Sequence, residues 1–328
     1  MESTQSIKRR IKAVTNTSQI TRAMEMVAAN KMRKAQLVTL NSRSYALAGL
    51  NLLKELTRRI PHIPMLMRPV RGMKSGDFSL RSGTSNGMRT PENPGKTLVV
   101  LMTADKGLAG SFNSSVFRKF EREIQNKENN VYAAVGKKAE EYITRKKLPL
   151  KKSFIKFGDY AKPEETHDLA QFIINGFLEK KWSGVITIST HFKTTLRQDV
   201  LVRNLLPVSY ESLLKDIEEI IPEHGRYADT KKSAEQTQND YEYVVEPRNS
   251  GAAEMMIGHL VEHLVQMVVY HLVLESNASE HSSRMVAMKN ASDNAKELED
   301  DLSLVYNKSR QAAITQEIAE ITAGATAE

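Results

Sequence analysis

All ten prolines of this 328-residue chain fall between Pro61 and Pro247. In the two flanks, 1–60 and 248–328, glycine occurs only at Gly49, Gly251, Gly258 and Gly324. Proline breaks helix interiors and glycine weakens them, so both flanks are free to run as long helices. Periodicity agrees. Ile7, Ile11 and Val14, then Ile20, Met24 and Val27, then Leu47, Leu50, Leu53, Leu56 and Ile60 recur mostly at steps of three and four, as do Ile257, Leu260, Leu264 and Met267 and later Leu298, Leu302 and Val305. A helix of about 55 residues extends roughly 80 Å and needs a partner along its length.

Charge points to that partner. Residues 1–60 hold 12 Lys/Arg against 3 Asp/Glu, whereas 250–328 hold 5 against 12. Two long amphipathic helices of opposite sign read most simply as an antiparallel coiled coil of N- and C-terminal helices; the alternative is that each is the solvated face of a separate bundle. The overall excess of +8 would by itself suit an anionic partner such as nucleic acid, a membrane surface or an acidic protein.

The middle has a different pattern. Thr97–Thr103, Val131–Val135, Ser153–Phe157 and Gly184–Thr190 are short strand-like runs. They alternate with helical stretches at Ser114–Gln125, Lys137–Lys146 and Pro163–Glu179. Alternation of this kind predicts βαβ units and a mostly parallel sheet, so 97–210 is read as an inserted Rossmann-like α/β domain. Residues 61–96, with five Pro and five Gly and a basic excess, predict an irregular basic loop; 211–249 predict a connecting segment and a second loop.

Several chemistries drop out. The chain has no cysteine, hence no disulfide, no thiolate metal site and no thiol nucleophile. Gly107-Leu-Ala-Gly110 follows the first strand but matches no phosphate-loop pattern, and reads as a tight turn with Asn113 or Ser114 as helix N-cap. His259-Leu-Val-Glu262-His263 fits a short metallopeptidase pattern, yet it sits in a strongly apolar helix where packed histidines explain it better. The window Met255–Leu274 tempts a transmembrane reading, but Glu262, Gln266 and three histidines favour a buried helix of a chain not inserted in the membrane. The basic N-terminal arm could follow a nucleic-acid backbone as a coiled-coil adaptor. It has no aromatic residue before Tyr45, which disfavours single-strand stacking. No catalytic, cofactor-binding or metal-binding residue emerges.

Three separated segments carry a family resemblance: Asn16–Gln36 (NTSQITRAMEMVAANKMRKAQ), Thr103–Asn113 (TADKGLAGSFN), and the C-terminal runs Ser283–Asn294 and Leu304–Ile318. Together they resemble the γ subunits of F-type ATP synthases. The resemblance implies a central rotor shaft that couples proton flow through a membrane c ring to ATP synthesis or hydrolysis on β subunits. The implied partners are a ring of three α and three β subunits around one copy of the chain, an ε subunit and the c ring. The implied location is peripheral, on the cytoplasmic face of a bacterial plasma membrane, an expectation also drawn from the lack of a transit-like start.

Carried onto this chain, the family pattern places Met24, Arg310, Gln311 and Thr315 against moving segments of the β subunits, with Lys31, Arg33 and Lys34 on the same basic face. It places Ile314, Ile318 and Ile321 in an apolar upper bearing, and Tyr243 and Glu246 in a foot near the c ring and ε. Lys106 and Asn30 depart from the family pattern, and 61–96 is longer and more basic than that pattern leads one to expect.

Overall fold

The computed structural model describes residues 3–59, 65–67, 96–124, 130–208 and 250–325. The elements in chain order are α1 (Thr4–Arg59), β1 (Thr97–Met102), α2 (Phe112–Glu123), β2 (Val131–Val135), α3 (Lys137–Arg145), β3 (Leu150–Phe154), α4 (Pro163–Leu178), β4 (Gly184–Phe192), β5 (Gln198–Leu206) and α5 (Ser250–Ala325). A short 3-10 turn at Met65–Met67 lies within the segment expected to be irregular. The chain divides into two compact units, Met1–Asn30 with Arg284–Glu328, and Lys31–Ser283.

The first unit is a pair of antiparallel helices. The Thr15 hydroxyl donates to Glu299 Oε1 at 2.8 Å, and Ser292 Oγ approaches the Ser18 carbonyl at 3.5 Å, so partners descend along α5 as α1 ascends. The residues turned inward on α1 are Ile7, Ile11, Val14, Ser18, Thr21, Glu25 and Ala28, alternating steps of four and three. On α5 they are Met288, Ser292, Ala295, Glu299, Leu302, Tyr306 and Ser309, with the same alternation. This is a heptad seam, and most of it is small or polar. The periodicity expected from Ile20, Met24 and Val27 therefore has the right step but the wrong face: Ile20 and Val27 point outward, at 61% and 52% exposure. Leu298 and Val305 are likewise exposed, while Leu302 alone of that trio enters the seam.

The second unit is built on a five-stranded sheet of order β3-β2-β1-β4-β5. The first four strands are parallel, and β5 pairs antiparallel with β4 through Ile188↔Val202 and its neighbours. β1 is buried on both faces, as a central parallel strand must be. Leu98, Val100 and Met102 face α4 and α5, sharing a core with Leu169, Ile173, Leu264, Val268 and Leu272. Val99 and Leu101 face the other way, toward Val116 and Phe120 of α2 and Ile143 of α3.

Between Leu264 and Leu274, α5 is apolar nearly all round and almost wholly buried, the form of a helix enclosed by core. Part of α5 is also long and apolar enough to cross a membrane by length and composition, but 61% of that window is buried inside the protein.

Two local expectations are corrected. Helix α2 starts at Phe112 with Ser111 at its N-cap and no side-chain cap. Asn113 instead accepts a hydrogen bond from the Ala104 backbone N–H at 3.0 Å, and Ser114 donates to the Ser111 carbonyl. Both side chains fasten the turn rather than cap the helix. The strand expected at Ser153–Phe157 is displaced toward the N-terminus, to Leu150–Phe154, because Lys156 takes a left-handed φ of 64° that ends the extended run.

In α4, Gly176 sits beneath the Trp182 ring. A methyl group there would lie 1.8 Å from the indole, which is held by a tilted contact with the Phe172 ring and by its N–H donating to the Ile173 carbonyl. Glycine to alanine inside a helix normally stabilises by about 1 kcal/mol. Here Gly176→Ala is expected to destabilise by about 1–3 kcal/mol through overpacking, read as a lower melting temperature.

Candidate functional site

The sheet reverses direction of growth between β1 and β4, and in open α/β folds the crevice at the carboxyl ends of such strands is where ligands bind. In this chain α5 lies across it. Ser283 Oγ donates to the Ala109 carbonyl in the turn after β1 at 2.7 Å. Ser279 Oγ reaches the Thr190 carbonyl near the end of β4, and Ser282 Oγ donates to the Thr195 carbonyl just beyond it at 2.7 Å.

The segment Thr103–Asn113 serves the same packing. Asp105 accepts from the Lys137 and Lys156 backbone N–H groups, both at 2.9 Å, and thereby ties the turn after β1 to α3 and to the end of β3. Leu108 and Gly110 take left-handed backbone conformations that present Ala109 to Ser283.

Beside the serines lies a buried ionic cluster. Glu275 receives His191 Nδ1 at 2.9 Å and Arg203 Nη2 at 3.6 Å, and Arg203 also donates to Ser189 Oγ. On the other side of α5, Asn277 Nδ2 donates to the Gly158 carbonyl at 3.1 Å, and His281 Nε2 stands 3.6 Å from Asp159. Asp159 pairs in turn with Lys31 of α1 at 2.6 Å. Burial works to raise the Asp159 carboxyl pKa, but the Lys31 hydrogen bond and charge, with smaller help from His281 and Lys106, hold it below its ordinary value. This hub was not foreseen from the sequence. Its signal was Glu275-Ser-Asn-Ala-Ser-Glu-His281-Ser-Ser, a polar run with helical spacing directly after the apolar stretch.

The expected basic face is split. Lys31 pairs with Asp159, and Lys34, one turn on, lies over the Tyr160 ring at 4.4 Å. Arg33 is exposed and rotated away from both, as a position two residues from Lys31 must be. Met24 is half-buried on α1. On α5 every residue from Arg310 to Thr322 is exposed, and Arg310, Gln311, Ile314, Thr315, Ile318 and Ile321 fall within an arc of about 140° at about 100° per residue. The Thr315 hydroxyl is satisfied by the Gln311 carbonyl of its own helix. Tyr243 and Glu246 lie outside the described residues.

The histidine–glutamate pattern is dispersed over other partners. Glu262 accepts from Gln171 at 3.0 Å, and His263 Nε2 meets the Tyr45 hydroxyl at 2.7 Å beside a cavity of about 600 Å³. Among the described residues, no three His, Asp or Glu side chains are grouped to hold a metal ion.

The surface of the helical pair carries large apolar side chains among its exposed charges. Besides Ile20 and Val27, the side chains of Met26, Leu304, Val305, Ile314, Ile318 and Ile321 are exposed, Leu304 and Ile321 at about seven-tenths. Helices with a small, polar seam and large apolar side chains outside, joined in sequence to an α/β domain whose crevice is closed by its own helix, define a shaft-type subunit. The family model described as ATP synthase matches residues 3–327. The ATP synthase gamma chain of Roseiflexus castenholzii is 38% identical over 100% of this chain and 99% of its own length; that of Polynucleobacter necessarius is 33% identical over 100% of both.

Among solved structures, a chain of the Tetrahymena thermophila mitochondrial ATP synthase central stalk and c ring is similar with TM-score 0.52 and 25% identity, over 83% of this chain and 99% of that one. A chain of the Euglena gracilis mitochondrial ATP synthase shares the fold at TM-score 0.61 and 18% identity, over 99% and 94%. The chain belongs to the γ-subunit family of the ATP synthases. Its role is that of the rotor shaft in the central stalk of the ATP synthase, not that of a catalytic subunit.

Proposed function

We propose that the helical pair turns inside a ring of three α and three β subunits, one copy per ring, with Met24, Arg33, Arg310, Gln311 and Thr315 meeting the moving parts of the β subunits. Lys31 and Lys34 act one step back, holding α1 to the 159–160 turn. Ile314, Ile318 and Ile321 form the upper bearing. The α/β domain is the foot, on the c ring and beside ε, with Tyr243 and Glu246 in that region. The complex is membrane-bound, and the chain is peripheral on the cytoplasmic face of a bacterial plasma membrane.

The observation that carries this reading is the outward apolar surface of the pair. Large aliphatic side chains left in water on a slender helix lose roughly 1.5–3 kcal/mol each relative to burial, so a sleeve of matching apolar surface is their natural environment. The sleeve must also be smooth, since directional bonds would resist turning, and the three isoleucines supply a face without donors or acceptors.

Replacing Ile314, Ile318 and Ile321 together with Asp is expected to leave the chain folded, because these side chains are about half or more exposed, and to cut recovery of the α/β ring with the chain by at least about tenfold. Co-purification with subunit stoichiometry measures this. Recovery of one copy per three α and three β at the unmodified yield would sink the bearing assignment.

A further inference from the structure

We propose that residues 275–283 of α5 are the torsional joint of the rotor, with Glu275 as the positioning residue that locks the sheet to the shaft helix so that both turn as one body. This rests on the rotor role and concerns how torque entering the α/β domain reaches α5. Between Ile257 and Leu274 the core that α5 shares with the sheet is built of apolar side chains, and the Glu262 and His263 bonds go to Gln171 of α4 and Tyr45 of α1. Apolar contact is strong but non-directional, so by itself it fixes the rotation of a helix less firmly than directed bonds do. Resistance to rotation needs directed bonds placed around the helix.

The structure supplies them on two sides. At about 100° per residue, Glu275, Ser279, Ser282 and Ser283 form one stripe, bonded to β4, β5 and the turns after β1 and β4. Asn277 and His281 form a second stripe about 160–170° away, bonded to Gly158 and Asp159. A rotation that relaxes one stripe strains the other. Lys31 extends the second grip to α1 through Asp159, so both shaft helices are held.

Glu275 is the centre of the first stripe. It is 7% exposed, and a carboxylate at that depth is a poor way to gain stability, because desolvation offsets much of the attraction to Arg203 and His191. The preceding turns show that apolar side chains pack well on this sheet. What the ionic cluster adds is geometry: the two carboxylate oxygens are claimed by different partners on different strands, His191 on β4 and Arg203 on β5, which fixes the helix in rotation and in register.

The test uses the assembled complex, with the α/β ring immobilised and a probe on the foot, and reads torsional stiffness from the probe's angular fluctuation. Two variants are compared with the unmodified chain: Glu275→Gln, and the apolar triple Glu275→Leu, His191→Leu, Arg203→Met. The triple removes the directed bonds while filling the space, so thermal stability is expected at or above that of the parent. Stiffness is expected to fall by up to about twofold in the triple, since the ionic centre of one of two opposed grips is lost while its serine bonds remain, with proton pumping per ATP hydrolysed falling alongside it.

Softening without loss of thermal stability supports the joint; parental stiffness and coupling in the triple overturn it. Should the triple fail to assemble, the isosteric Glu275→Gln decides by the same two readouts. An unmodified complex in which the foot does not turn with the shaft would overturn the rotor role itself, an outcome distinguishable from failure of the joint alone.

Discussion

Gly136→Ala is expected to lower the stability of the sheet unit by about 3–5 kcal/mol, a melting temperature lower by roughly 10 °C. Gly136 joins β2 to α3 with φ 90° and ψ 145°, a conformation that side chains rarely adopt. A Cβ built there would stand 2.1 Å from the Thr103 carbonyl oxygen and 2.8 Å from its carbon, and both are backbone atoms with no freedom to turn aside.

The approach is close because the ends of three strands converge on this point. The Gly136 N–H donates to the Phe154 carbonyl at 2.8 Å, Thr103 N–H donates to the Val135 carbonyl at 2.8 Å, and Lys138 N–H reaches the Ala104 carbonyl. Relief of the clash must open one of these bonds and loosen the Asp105 clasp beside them. Denaturant unfolding of the variant beside the parent measures the effect. A midpoint unchanged within error would mean that the strand ends can separate freely, contrary to the packing described.

How far the sequence reveals this architecture depends on which interactions leave a compositional trace. Proline placement and a step of three to four are properties of a single helix, so α1 and α5 are legible almost to their ends. The buried parallel strands are legible because both faces need apolar residues. β5 was missed for the opposite reason. In Gln198–Leu206 only Leu205 and Leu206 are fully buried, and an edge strand half open to solvent carries Gln, Asp, Arg and Asn that mask its pattern.

The assumption that large apolar residues face the partner helix places Ile7, Ile11, Val14 and Leu302 correctly in the coiled-coil seam and fails for the rest of it. Ser18, Thr21, Ala28, Ser292 and Ala295 take that position, and Ile20, Val27, Leu298 and Val305 face out. Periodicity gives the angle between residues but not which side is inside.

Charge sums were equally blind to destination. The basic excess of the first 60 residues suggested pairing with the acidic last arm, yet two of its lysines are spent on Asp159 and Tyr160. The segment resembling the family at Thr103–Asn113 was legible as identity and not as function. Only the structure shows that its Asp, Asn and alanine carbonyl are fasteners of the crevice. Of the twelve site residues inferred from the family, Tyr243 and Glu246 lie outside the described residues.

Stability of the sheet unit is expected to fall as pH drops from neutrality toward 4, and His271 is the main cause. The ring is 4% exposed, one turn before Glu275 on α5. Burial disfavours the imidazolium and outweighs the pull of the Glu275 carboxylate, so its pKa is lowered from 6.5 to about 4. In the unfolded chain the same imidazole binds a proton near pH 6.5. Above that pH both states are neutral and the group has no effect.

Between about 6.5 and 4 the unfolded state takes up a proton that the folded state refuses, so folding loses free energy with each step downward. Below about 4 both states are protonated and the loss levels off at a few kcal/mol. Asp159 and Asp199, whose folded values are lowered from 3.8, contribute with the same sign, but their loss begins only as the unfolded carboxylates take up protons near 3.8 and continues below it. The two windows are therefore separable.

Denaturant midpoints at pH 7.5 and pH 5, for the parent and for His271→Gln, isolate the histidine. The parent is expected to weaken across that interval and the variant to change far less, since glutamine does not titrate. Equal slopes in the two would show that His271 charges freely where it sits, and that the apolar enclosure of α5 admits more water than its burial implies.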